Sequence, residues 1–248
     1  MGEKSSSAPQ QQTNRPDGRT GGGTLRPLAA EVSCLSRADG SSKFSSGPTQ
    51  ILAAVYGPAA PRIQARERPT EATIAVVFKH GAKSGLGHGY GATEREIERF
   101  ICDAVCACVA LEEYPRTVIE IVVQIIKADG SVVGTALNAA VLALMDAGVL
   151  MNSLPIATTF VVESSCLQNL RLDPSAEEEF NEDYSSIVLV TDSVRQGIIV
   201  SMTSGAFKLE SFLACAEGAS RASKAVLAFM RIAIEQKVTR EAQTLWSI

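Results

Sequence analysis

An α+β fold, with helices packed on mixed β-sheets, is what the order of hydrophobic patterns along the chain predicts. Three observations carry that expectation. Short β-compatible runs crowd the first third of the chain. A β-branched run stands between two helical stretches in the middle, and strands return before a long Ala-rich stretch closes the sequence. Runs of strands and helices in this arrangement pack as layers around one core. With 248 residues, of which 46% are hydrophobic and 20% charged, the chain buries enough surface to fold without disulfides or a metal.

Met1–Gly23 is rich in Ser, Gln, Gly and Pro. Such a composition cannot bury enough surface to offset its ordering entropy, so a disordered tail is expected. Glu31–Ser36 alternates loosely and ends at the turn Arg37-Ala38-Asp39-Gly40. Ser42–Ser45 leads to Gly47-Pro48, and Gln50–Tyr56 is an apolar run closed by Gly57-Pro58. The three read as an antiparallel meander. Ala72–Phe78 is a further strand, followed by a glycine-rich loop from Gly81 to Gly91. Thr93, with Glu96 three residues on, has the form of a capping box. The helix it opens runs to about Leu111, with Ile97, Ile101, Ala104, Val105 and Cys108 on one face.

Val118–Ile126 is a β-branched strand, and Gly134–Ala147, small and apolar nearly all round, predicts a buried helix stopped by Gly148. Ile156–Val162, Ile187–Val190 and Gly197–Met202 read as strands, and Lys208 to about Gln236 as the terminal helix. Strand-rich starts near Val32 and near Ile156 suggest two similar βα units. The expected division is a tail over 1–23, one folded domain over 24–238 and a short tail over 239–248.

Six cysteines form no CxxC pair, and only two histidines are present. Zinc-ligand spacing is absent, and the thiols read as small buried hydrophobes in a reducing compartment. No run of about 18 apolar residues argues for a membrane-spanning helix, and the N-terminus lacks the apolar stretch of a secretory signal. A net charge of −4 argues against a protein that coats nucleic acid by bulk charge. Its distribution is uneven: Pro61–Lys83 holds five basic residues against two acidic, and Glu163–Asp192 holds eight acidic against one basic. One surface would suit phosphates and another would repel them or hold a cation; two solvated loops of opposite sign explain the pattern equally well.

Taken in order, several motifs resemble the RNase PH family and its exosome branch. Arg15-Pro16-Asp17-Gly18-Arg19 and Leu25-Arg26-Pro27 resemble the family's opening. Ser36-Arg37-Ala38-Asp39-Gly40-Ser41 precedes Ile51–Pro58; Arg95-Glu96-Ile97-Glu98, Tyr114-Pro115-Arg116-Thr117 and Lys127-Ala128-Asp129-Gly130 follow. Leu137-Asn138-Ala139-Ala140 and Leu144–Gly148 complete the set, which covers roughly Arg15 to Gln236.

The resemblance implies an RNase PH-like fold and a six-membered ring around a pore for single-stranded RNA. It also implies a role in RNA degradation and processing, ribosomal RNA included. Enzymes of the family cut the 3′-terminal phosphodiester with inorganic phosphate, held by an arginine after the Ala-Asp-Gly turn; that position is Val133 here, which cannot donate to phosphate. The family's metal-binding aspartate aligns with Ser185, and Asp183 and Glu163 are the nearest candidates for a catalytic or Mg²⁺-binding role. Basic residues around two family motifs line the RNA backbone, which implies Lys79, His80, Lys83, Arg95 and Arg99 as RNA contacts. The implied partners are other RNase PH-like exosome subunits and single-stranded RNA, with no membrane. The expected location is the nucleus and nucleolus, and also the cytoplasm. Three readings stay open: a mainly structural, RNA-guiding ring subunit, a binding module that tethers other decay factors through its tail or outer face, or a nuclease in its own right. The last, phosphorolytic or metal-dependent and acting on RNA or DNA, would work as a homo-oligomer, and an isolated subunit would pair with itself as a homodimer.

Overall fold

The computed structural model describes residues 15–61, 67–79, 91–163 and 170–246. Two β-sheets and four helices make up the described chain, as the sequence pattern predicts. The first sheet has the order β1-β2-β3-β5-β4. It is built from β1 (Leu28–Val32), β2 (Gly40–Ser46), β3 (Thr49–Ala59), β4 (Thr73–Lys79) and β5 (Val118–Lys127). The first three pair antiparallel as the expected meander, whereas β4 and β5 are parallel and are joined through α1 (Ala92–Cys106). A parallel pair requires such a crossover, since a tight turn cannot reverse the chain twice.

The second sheet, order β7-β6-β8-β9, contains β6 (Pro155–Glu163), β7 (Leu170–Leu172), β8 (Tyr184–Asp192) and β9 (Ile198–Ser204), all antiparallel. Between the two sheets lies α2 (Val132–Asp146), with an unbroken buried run from Gly134 to Leu144. A helix apolar all round has to be covered on every side. Here it packs on β2 and β3 on one side and β6 on the other, so one core joins both halves. Gly40 allows that approach: a Cβ there would lie 2.3 Å from the Ala147 amide nitrogen and 2.4 Å from the Ala143 carbonyl oxygen. The helix α4 (Leu209–Trp246) packs on β6 and β8 and reaches β1 farther along, carrying Val226, Leu227 and Met230 into the shared core. No described helix is long and apolar enough to cross a membrane.

Several boundaries differ from the expectation, each for a local reason. β1 ends at Val32 rather than Ser36, because Ser33 takes a left-handed conformation and its amide and hydroxyl turn to Asp146. The N-cap of α1 is Gly91, not Thr93. Glu94 reaches back to accept from the Gly91 amide at 2.9 Å, the role expected of Glu96. α1 stops at Cys106 rather than near Leu111, because Val109 leaves to bridge Met151 and Leu111–Glu113 form a separate 3₁₀ turn. α4 takes up most of the expected tail at 239–248, pinned where Lys237 meets Asp146 at 2.7 Å. The expected tail at 1–23 divides: residues 1–14 lie outside the described residues, and 15–23 are folded against the second sheet. There Arg15 is buried, and Leu172 donates its amide to the Gly22 carbonyl.

Candidate functional site

The turn after β5 sets the geometry where the attacking phosphate would sit. Gly130 and Ser131 both adopt positive φ, and Gly130 approaches the backbone of Pro174–Ala176 so closely that a Cβ would fall 2.5 Å from the Pro174 carbonyl oxygen. That contact seats the turn against the short helix α3 (Ala176–Glu179). Ser131 opens α2 and does not cap it with its side chain; its hydroxyl donates to the Pro174 carbonyl at 3.1 Å. Its amide donates to Glu179 Oε2 at 2.8 Å. A carboxylate therefore occupies the positive end of the helix, the place where an anion would bind. Burial pushes the Glu179 carboxyl above its ordinary range, against the Ser131 amide and the charge of Arg26, which pull it down. Val132 and Val133 pack against the apolar core, so the position expected to hold an arginine presents no donor.

Asp173, the residue after β7, is 5% exposed and closes a second cluster. Arg26 donates Nη2 to Asp173 Oδ1 at 2.7 Å and its amide to Oδ2 at 3.1 Å, while Ser46 Oγ donates to Oδ2 at 2.6 Å. Beside it, Arg15 is buried and forks onto Glu178 through Nε (3.0 Å) and Nη2 (2.6 Å). Arg171 reaches the same carboxylate at 3.0 Å and stacks over the Tyr184 ring at 5.0 Å. Burial alone would raise both carboxyls, but the arginine bonds outweigh it and hold Asp173 and Glu178 below their ordinary values. Of the eight acids that the sequence groups together, Asp173, Glu178 and Glu179 thus face inward as partners of arginines or a helix end.

Asp146 is likewise held below its ordinary value: burial would raise it, and Lys237, the Ser41 amide and Ser33 more than compensate. A depressed carboxylate contributes stability that is present above its unfolded value and lost as pH falls through its folded one. The ordinary values here are 3.8 for Asp146 and Asp173 and 4.5 for Glu178. Stability is therefore expected to fall steeply below about pH 4. Glu179, raised from 4.5, acts in the opposite direction and recovers a little on mild acidification. Urea midpoints measured from pH 3 to 7 check this; a flat profile below pH 4 would contradict it.

Glu163 ends β6 opposite Tyr184, and Asp183 directly precedes β8, so the two predicted acids meet at one end of the second sheet. Four strand residues, roughly 13 Å at about 3.3 Å each, separate Glu163 from Thr159, which touches Gly134 of α2. Ser185, at the family's aspartate position, is buried and donates to the Ala206 carbonyl at 2.8 Å. Among the described residues no three His, Cys, Asp or Glu side chains gather as a metal site. At the family's aspartate position the side chain is therefore a hydroxyl already bound to a carbonyl, not a carboxylate.

Lys79 is exposed at the end of β4, paired in register with Gln124. One residue earlier, the Phe78 amide donates to Glu98 of α1 at 2.8 Å, which fixes the strand end beside the helix. Arg95 and Arg99 flank Glu98 on the exposed side of α1, and Arg99 makes a loose surface pair with Asp103 at 3.7 Å. Lys79 therefore projects from the sheet face opposite Phe78, while Arg95 and Arg99 share the exposed side of α1. His80 and Lys83 lie outside the described residues.

Comparison with known proteins agrees with this architecture. A family model described as "3′ exoribonuclease family, domain 1", the RNase PH model, matches residues 24–150. The chain is 31% identical over 241 residues to the exosome complex exonuclease RRP46 homolog of Arabidopsis thaliana, covering 92% of this chain and 98% of that one. It is 28% identical over 223 residues to the exosome complex component Rrp41 of Pyrococcus furiosus, covering 88% and 87% respectively. Among solved structures, rice (Oryza sativa) Rrp46 superposes with a TM-score of 0.77 at 31% identity, over 88% of this chain and 98% of that one. An Archaeoglobus fulgidus exosome chain, solved with RNA bound to the active site, gives 0.73 at 18% identity over 87% and 92%, a likeness of fold.

Proposed function

Because the chain belongs to the RNase PH family of 3′ exoribonucleases, we propose that it is a ring subunit of an RNA exosome. It takes part in 3′-to-5′ RNA processing and degradation by holding neighbouring RNase PH-like subunits and guiding single-stranded RNA. Similarity to RRP46 and Rrp41 exosome subunits over nearly the whole chain supports the setting. The observation that carries the role is the turn at Ser131. Its amide is taken by Glu179 and Val133 stands at the arginine position, so the turn itself presents no cationic clamp to an incoming phosphate. Arg95 and Arg99 on α1, and Lys79 at the end of β4 that the Phe78–Glu98 bond ties to that helix, offer sequence-independent contact with the RNA backbone.

The test is the purified chain, alone and assembled with its ring neighbours, incubated with single-stranded RNA across a phosphate titration. No phosphate-dependent release of nucleoside diphosphate from the isolated chain is expected; such release, abolished by changing Lys79, would overturn the reading. Replacing Lys79, Arg95 and Arg99 together by alanine is expected to weaken RNA binding for all sequences alike. At about 0.7 per phosphate contact on single strands, the slope of log affinity against log salt should fall by about 2. An unchanged slope in fluorescence titrations would remove these three residues from the RNA path.

Outside the ring, exposed Ile198, Leu209 and Leu213 supply apolar surface for self-pairing into a homodimer. Light scattering on the isolated chain decides this. An RNA-processing role is compatible with a location in nucleus, nucleolus and cytoplasm, which fractionation with an antibody would check.

A further inference from the structure

We propose that Cys102 and Cys106 are a redox-active thiol pair that a hydroperoxide converts into an intrahelical disulfide, with Cys102 attacking and Cys106 resolving. The two sulfurs lie 3.8 Å apart on successive turns of α1, both half-buried. Four residues of helix rise about 6 Å, within the Cα separation that a disulfide spans. The sulfurs still have to close to about 2 Å, and the place where the chain can give is at hand. Cys106 is the last residue of α1, and the backbone beyond it leaves the helix toward the Val109–Met151 bridge. Tightening that last turn leaves the helix ahead of it, and its packing through Ile97, Phe100 and Ile101, in place.

The other described thiols are set up differently. Cys34 is exposed, and Cys108 and Cys215 are buried. Burial raises all three, Cys215 to about 12. Cys102 moves the other way, down to about 7, chiefly through the hydrogen bond it shares with Cys106 and with help from Arg68, against burial and Asp103. The same bond pushes Cys106 up. One sulfur is thereby readied as a thiolate while its neighbour keeps the proton that the second step consumes.

In the first step the Cys102 thiolate attacks one peroxide oxygen. The O–O bond breaks, the departing oxygen leaves as alkoxide or hydroxide and takes a proton, and Cys102 becomes a sulfenic acid. The Cys106 sulfur then attacks the Cys102 sulfur. An S–S bond forms, the S–O bond breaks, and hydroxide leaves with the Cys106 proton as water. Two thiols lose two electrons in total and one peroxide is reduced. Nothing in this sequence depends on RNA or on ring assembly. The site does lie on the same helical stripe as Arg95 and Arg99, at spacings of seven and eleven residues from Arg95.

The experiment treats the full chain with graded hydrogen peroxide and maps all six cysteines by peptide mass. The first product expected is a Cys102–Cys106 cross-link, reversed by dithiothreitol and formed faster as pH rises through about 7. In Cys106→Ser, a dimedone adduct should accumulate on Cys102; in Cys102→Ser, neither cross-link nor adduct on Cys106 should form at the same dose. Oxidation of Cys34 ahead of the pair, or a Cys106 equally reactive without Cys102, would overturn the proposal. The unaltered chain's peptide map decides the matter even if a serine variant folds poorly.

Discussion

Replacing Asp173 by alanine is expected to destabilise the protein by about 3–5 kcal/mol, the usual consequence of leaving one member of a buried ion pair without its partner. The guanidinium of Arg26 would keep its bonds to the Asp129 and Gly130 carbonyls but lose the carboxylate that it meets at 2.7 Å. The Arg26 amide and the Ser46 hydroxyl would lose their acceptor at the same time. Asp173 also sits at positive φ, which alanine tolerates poorly. Asparagine accepts that backbone and keeps one oxygen, so Asp173→Asn should recover part of the loss. Urea denaturation of the three proteins separates the contributions. A change below about 1 kcal/mol for the alanine variant would mean that Arg26 finds water or another acceptor.

Gly40→Ala is expected to cost about 3 kcal/mol or more, at the upper end of what overpacking a core produces. The added methyl would meet the Ala143 carbonyl, the Ala147 amide and the Ala147 methyl, the last at 2.6 Å. None of these is the movable end of a long side chain. Either the end of α2 shifts away from β2, or β2 bends. Both disturb the turn in which Asp146 accepts from the Ser41 amide at 2.8 Å. Thermal unfolding gives the test: a midpoint within a degree or two of the parent would show that α2 slides at little cost.

The elements that were legible beforehand are those whose signal is local. The β-branched run at Val118–Ile126 and the apolar run at Gly134–Ala147 announce β5 and α2, because β-branched residues dominate the first and small, buried apolar residues nearly fill the second. Val133 was readable as a missing donor because the Ala128-Asp129-Gly130 turn marks its register. What stayed hidden depends on partners far along the chain. Nothing in Glu177-Glu178-Glu179 tells the middle acid, bound by Arg15 and Arg171, from the first, which is exposed. Glu179 could not be recognised as the occupant of the α2 end, since Ser131 lies 48 residues away. The end of α4 looked like a tail because its last turns are polar. They are held by Lys237, which pairs with Asp146 and with Glu241 four residues on.

The Arg15–Glu178 pair bears on the order in which this protein can be completed. The two residues are 163 positions apart. As the chain emerges from the ribosome, Arg15 lacks its carboxylate partner Glu178 until β7 and α3 have been made, and the first sheet is complete in sequence well before then. The segment around Arg15 must therefore wait as an unattached lead while the rest assembles behind it. It closes onto the second sheet as a late step, drawing the first described residue onto a surface made more than a hundred residues later. A bulky protein fused directly ahead of Arg15 would have to be carried through that closure, whereas the same addition after α4 would not.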